Sequence, residues 1–154
     1  MGVRSLLNNV RDLIEFHEGN VPHAYQDSLG YWTIGVGHLI DKRKGGKLPE
    51  SIVDALLDWD IKEHSRDLFR ALPWIMDLDE VRKAVLVDMS FNLGVAGLLQ
   101  FKNTLAAVKE SRWNDAARGM LASRWASQVG ARALRLADMM RSGRWPGDVF
   151  VGPY

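Results

Sequence analysis

The stretch EGNVPHAYQD, residues 18–27, sets two carboxylates, Glu18 and Asp27, on either side of a glycine, a proline and an aromatic ring. Hydrolysis of a glycosidic bond needs such a pair. One carboxyl holds its proton and gives it to the leaving oxygen, while the other stays ionised across the bond. Each residue also has an ordinary reading of its own. Glu18 reads as a solvated glutamate ahead of the cap residue Gly19, and Asp27, in QDSLG, as a turn residue. A glutamate at a helix C-terminus opposes the macrodipole by about 0.3–1 kcal/mol when exposed, so helix stability does not account for Glu18. Thr33, in YWTIGVGH, has the β-branched side chain of a strand former, yet a hydroxyl near Asp27 could hold an attacking water. Gly35 and Gly37 leave room for backbone or sugar to come close.

The elements that must carry these groups follow from periodicity. Leu6, Val10, Leu13 and Ile14 recur at helical spacing before Gly19, predicting a helix over about 3–18 that ends on Glu18. Residues 23–40 alternate aromatic and β-branched positions with glycines around SLG, the pattern of a small hairpin or sheet. DKRKGGK, 41–47, is a polar loop, and Pro49 suits a first helical turn. The apolar stripe Ile52, Val53, Leu56, Leu57, Ile61, Leu68 and Phe69 predicts a long amphipathic helix stopped by Pro73, with Asp60 on the stripe. Beyond it, helices are expected over about 79–91, 95–99, 103–110, 113–122 and 131–141, the last closed by Gly143 and Pro146. SRW recurs at 111–113 and 123–125, and RW at 144–145, but the unequal spacing is no structural repeat; these tryptophans read as packing residues.

Bulk properties set the outer limits. A chain of 154 residues, 47% hydrophobic and 25% charged, can bury a core without disulfides, and it contains no cysteine for a bridge, a thiolate metal site or a thiol nucleophile. Twenty basic against nineteen acidic residues leave +1, too balanced for a dedicated nucleic-acid binder. No apolar run reaches the roughly 20 residues of a membrane span, and Asn8, Asn9, Arg11 and Asp12 interrupt any secretory signal. His38 has no acid or second histidine at metal-ligand spacing. No metal, cofactor, nucleic-acid partner or membrane insertion is expected, and the chain should act as a monomer.

Glu18, Asp27, Thr33 and His38, set in EG, seven residues, D, then SLGYWTIGVGH, resemble the phage-type lysozymes of glycoside hydrolase family 24, including those of T-even bacteriophages. FNLG at 91–94 with VAG at 95–97, and SRWASQVGARALR at 123–135, extend the resemblance over about residues 7–145. It implies an α+β, mainly α, lysozyme-like two-lobed fold. A small antiparallel sheet lobe (about 19–48) and a helical lobe (about 73–154 plus the N-terminal helix) would be joined by a long helix (about 49–72).

The resemblance also implies roles. Glu18 would be the general acid; Asp27 the base on a water, or a stabiliser of charge on the sugar; and Thr33 the group that positions the water. Leu39, Phe91, Thr104 and Arg132 fall in the substrate-binding set, Arg132 matching an arginine that pairs with the acid. His38 and Asp60 match a histidine–aspartate salt bridge, which would supply the partner that an acid on an apolar stripe needs. Two departures bear on binding: His17 stands where several relatives carry an acid, and Gly119 where they carry a polar contact residue.

The activity so implied is that of a muramidase on bacterial peptidoglycan, inverting, with carboxyls roughly 6.5–9.5 Å apart to admit a water. An endolysin made in the host cytoplasm and released through a separate pore-forming protein is the matching setting, with a virion-associated enzyme as the alternative. Two other activities compete: a lytic transglycosylase, which would rely on one glutamate, and an inert wall-binding or structural module, which would have lost Glu18 or Asp27. The presence of Asp27 and Thr33 favours hydrolysis.

Overall fold

The computed structural model describes residues 10–36, 38–40 and 48–147, so the start of the helix expected over 3–18, Gly37, the loop expected at 41–47 and residues 148–154 lie outside the described residues. The chain divides into two compact units, Met1–Ala55 and Leu56–Tyr154. The class is α+β and mainly α, as expected from the sequence.

In the first unit, helix α1 (Val10–Glu18) is followed by a three-stranded antiparallel sheet of β1 (Val21–Gln26), β2 (Trp32–Gly35) and β3 (His38–Leu39) in that spatial order. Gly19 ends α1. It takes φ +75°, open to glycine without a Cβ penalty, and its N–H returns to the carbonyl of Glu15 at 2.8 Å. Strands β1 and β2 pair Tyr25 with Thr33 and Gln26 with Trp32; nearer the helix the register shifts before Val21 meets Gly35, a bulge that accommodates Pro22. Strand β3 pairs Leu39 with Thr33 and His38 with Ile34. Period-2 alternation puts Tyr25, Thr33 and Leu39 on one face, and Trp32, Ile34 and His38 on the other.

Helix α2 (Glu50–Ala71) begins in the first unit and continues into the second, ending as expected before Pro73, which opens a 3-10 turn over Pro73–Asp77. The second unit continues with α3 (Glu80–Leu98), α4 (Lys102–Lys109), α5 (Trp113–Leu121), α6 (Arg124–Val129) and α7 (Ala131–Ser142). Helix α5 packs on α4 and α7, and α3 and α6 also pack on α7. Leu68, Ile75, Val85, Leu86, Met89, Leu98, Val108, Met120 and Met140 form a core with no exposed surface.

The two helical pieces expected at 79–91 and 95–99 are one element broken at Gly94, whose φ of 73° and ψ of 161° interrupt the helix at FNLG. Periodicity alone did not mark helix α6, which falls in the 123–135 segment that carries the family resemblance. Ser123 starts it by accepting the Ala126 N–H at 3.2 Å, and Gly130, at φ +56°, separates it from α7. No single described helix is long and apolar enough to cross a membrane.

Arg82, near the start of α3, gathers the ends of three helices. Its guanidinium donates to the carbonyls of Met140 (2.7 Å) and Arg141 (3.0 Å) in the last turn of α7, pairs with the α3 cap residue Asp79 at 3.1 Å, and lies 4.0 Å over the ring of Trp113 on α5. These are orphan carbonyls at a helix C-terminus, where a cation is favoured. Burial raises the Asp79 pKa, but the Arg82 amide and guanidinium that bond it, together with their charge, outweigh that and hold it below 3.8.

Candidate active site

The hairpin that joins β1 to β2 is built around Asp27. Ser28, Leu29 and Gly30 form a three-residue loop closed by two backbone bonds, Asp27 N–H to the Tyr31 carbonyl (2.9 Å) and Gly30 N–H to the Asp27 carbonyl (3.0 Å). Gly30 supplies the left-handed residue that such a loop needs, at φ +81°. Asp27 is thus the turn residue that QDSLG suggests, but its side chain does more than cap. Its Oδ1 accepts the N–H groups of both Leu29 and Tyr31, each at 2.9 Å. Two donors on one oxygen fix the plane of the carboxylate, and among the described residues no hydrogen bond reaches Oδ2.

Thr33 is 5% exposed, and its hydroxyl donates to the Tyr31 carbonyl at 3.3 Å. Tyr31 therefore serves both residues through its backbone: its N–H holds Asp27 and its carbonyl takes the Thr33 proton. Sequence reasoning missed Tyr31, and only its place as the residue closing the SLG loop pointed to it. Leu39 lies opposite Thr33 in register, on the same sheet face and 39% exposed. His38 belongs to the other face and is exposed. Glu18 closes α1 in the same unit, with its side chain in solvent, next to His17, whose ring meets Phe16 edge-on at 5.5 Å.

The remaining candidates belong to the second unit. Asp60 is exposed on α2. Phe91, on α3, is 37% exposed, and its ring lies 5.0 Å from that of His64. Arg132, on α7, pairs with Asp88 of α3 at 2.8 Å, and its Nη2 also reaches the Asp88 carbonyl. Asp88 was a missed partner, although an acid inside the apolar run VRKAVLVDMSF was its signal. Trp125 donates its indole N–H to Asn92 at 2.8 Å and stands edge-on to Phe101.

Thr104, 5% exposed on α4, lies so close to Gly119 of α5 that a Cβ on the glycine would sit 2.4 Å from its hydroxyl. This explains the glycine: a side chain at 119 has no room while Thr104 keeps its rotamer. The two residues belong to an open cavity of about 560 Å³, also lined by Gln100, Lys102, Asn103 and Arg124. Among the described residues no cluster of three or more histidines or acids could hold a metal ion.

The phage lysozyme family profile matches residues 15–141, most of the chain. The chain belongs to that family. It is 28% identical to probable T4-type lysozyme 1 of Dictyostelium discoideum over 90% of this chain and 96% of that one. It is 24% identical to the pre-baseplate central spike protein of Enterobacteria phage T4 over 88% of this chain, which spans only 28% of the spike. A peptidoglycan hydrolase of Pseudomonas phage phiKMV is 26% identical over 84% of this chain and 15% of its own length. Family membership gives a reaction class, lysozyme-type glycoside hydrolysis, to a chain in which one carboxylate and one buried hydroxyl are both bonded to the Tyr31 backbone.

Proposed function

We propose that the protein is an endolysin-type muramidase that hydrolyses the β-1,4 bond between N-acetylmuramic acid and N-acetylglucosamine in bacterial peptidoglycan, with inversion. Glu18 gives its proton to the glycosidic oxygen as the C1–O bond breaks. Water bonds to C1 from the opposite face and loses a proton to the Asp27 carboxylate, and solvent exchange then restores both groups. Thr33 orients that water. Leu39, Phe91, Thr104 and Arg132 contact the saccharide chain, and the whole chain works as one lysozyme domain, a monomer that binds no nucleic acid and needs no cofactor.

The observation that carries this reading is the Asp27 carboxylate, clamped through one oxygen by two amides, one of them from Tyr31, whose carbonyl also takes the Thr33 hydroxyl proton. Similarity to a named peptidoglycan hydrolase supports the polymer. The test is clearance of peptidoglycan sacculi by the parent, Glu18→Gln and Asp27→Asn proteins, with mass and anomeric analysis of the products. Glu18→Gln is expected to lose about 10²–10⁴-fold in rate. Lysis by Glu18→Gln at the parental rate removes the acid from its role, and an anhydro product, lighter by one water, replaces hydrolysis with transglycosylation.

We infer that the enzyme accumulates in the host cytoplasm and reaches the wall through a holin. The similarity to the phage T4 central spike favours a virion-associated hydrolase as the second setting. We also propose that His38 and Asp60 form a salt bridge. An exposed pair is worth about 0.2–1 kcal/mol, so a double-mutant cycle of His38→Ala and Asp60→Asn in which the two costs simply add rejects it.

A further inference from the structure

We propose that the backbone amides of Leu29 and Tyr31 are positioning groups for the hydrolysis, dividing the two oxygens of Asp27 into one that is held and one that takes the proton. The inference rests on the muramidase reading above. A carboxylate offers about four acceptor sites. The two on Oδ1 are taken by N–H groups at 2.9 Å each, so a proton arriving at Asp27 goes to Oδ2. Those same bonds stop rotation about the Cβ–Cγ bond, which would otherwise exchange the oxygens.

Tyr31 extends the division to Thr33. Its carbonyl accepts the Asp27 N–H (2.9 Å) and the Thr33 hydroxyl (3.3 Å) together, using both of its lone pairs. With its own proton so directed, Thr33 Oγ1 faces a water as an acceptor. A water donating one hydrogen to Asp27 Oδ2 and the other to Thr33 Oγ1 has only lone pairs left for the anomeric carbon. In the attack, the water oxygen bonds to C1, the hydrogen on Oδ2 stays with Asp27, and the C1–O electrons leave with the glycosidic oxygen, which takes its proton from Glu18. Nothing in this scheme uses the side chains of Leu29 or Tyr31. Leu29 is 70% exposed, as a residue recruited for its amide alone can be.

The experiment replaces the Leu29 amide by an ester, incorporating the α-hydroxy acid analogue of leucine, so that one N–H is lost and the side chain is kept. An ester at Ser28, whose amide is not part of the clamp, is the control. Turnover is measured on a soluble peptidoglycan oligosaccharide. The Leu29 ester is expected to lower kcat by about 10- to 100-fold with KM within about twofold, because a small misplacement of a reacting group has effects of that size. The Ser28 ester is expected to match the parent. Parental kcat in a Leu29 ester, alongside an inactive Asp27→Asn protein, overturns the positioning role and leaves the muramidase reading standing; an Asp27→Asn protein with parental kcat removes Asp27 as the base and the positioning role with it, and an anhydro product removes the hydrolytic reading. If the ester does not fold, through-hydrogen-bond couplings from the Leu29 and Tyr31 amide nitrogens to the Asp27 Cγ in the parent decide the matter, and their absence overturns the proposal.

Discussion

Asparagine and alanine at position 27 separate what Asp27 does for the hairpin from its proposed role in the reaction. An asparagine keeps an Oδ1 for the Leu29 and Tyr31 amides and puts an NH2 group where Oδ2 stood. Alanine removes both. A hydrogen bond to a charged acceptor contributes about 1.5–3 kcal/mol, and at this partly exposed turn water replaces much of it, so Asp27→Ala is expected to cost about 1–3 kcal/mol in total. For a chain of this length each kcal/mol moves Tm by about 2–4 °C. Thermal melts should therefore place Asp27→Ala roughly 2–12 °C below the parent and Asp27→Asn within about 1 kcal/mol of it. Both should clear sacculi about 10²–10⁴-fold more slowly, because neither offers a base. An asparagine protein that melts as low as the alanine protein would refute the clamp, and one that lyses sacculi at the parental rate would refute the base.

Arg82→Ala is expected to destabilise the protein by about 2–4 kcal/mol in urea titration, because it strips two α7 carbonyls, the Asp79 carboxylate and the Trp113 ring of one half-buried partner; a cost below about 0.5 kcal/mol, the level of an ordinary surface change, refutes that role. Asp79, with its folded pKa below 3.8, contributes stability that is complete above that value and lost as pH falls through the lowered one. The urea midpoint of the parent should therefore drop more steeply below pH 4 than that of Asp79→Asn, and parallel curves count against the linkage. Gly119→Ala sets about 1 kcal/mol of helix propensity against a clash of about 1–3 kcal/mol with Thr104. Adding Thr104→Ala removes the hydroxyl at 2.4 Å, so a double-mutant cycle should show favourable coupling of about 1 kcal/mol or more, and additivity refutes the contact.

Where sequence was informative, a local rule was in force. The ends of α1 and α2 were marked by Gly19 and Pro73, because one residue type takes a left-handed φ cheaply and the other cannot continue a helix. The hairpin was marked by SLG, and the break in α3 by the gap between the helical pieces expected at 79–91 and 95–99, which left out only that they are one element. Helix α6 escaped the periodicity reading because it has only six residues between a serine cap and a glycine, too few for a periodicity to declare itself. Arg82 escaped because its partners, the carbonyls of Met140 and Arg141, lie 58 and 59 residues away and carry no side-chain signature.

The same distinction runs through the site. Glu18, Asp27 and Thr33 became candidates because carboxylates and hydroxyls announce their chemistry by residue type. What orients Asp27 is two amides and a carbonyl, groups that every residue other than proline carries, and only the closing of the turn makes those of Leu29 and Tyr31 converge. The SLG loop is therefore part of the proposed site as well as its support. A substitution at Gly30 that cannot take φ +81° should impair Asp27 without touching it, because opening the loop withdraws the amides that hold Oδ1. Gly30→Val is thus expected to lose activity on sacculi before it loses its fold, and a Gly30→Val protein that keeps parental activity would show that the loop geometry is not what orients Asp27.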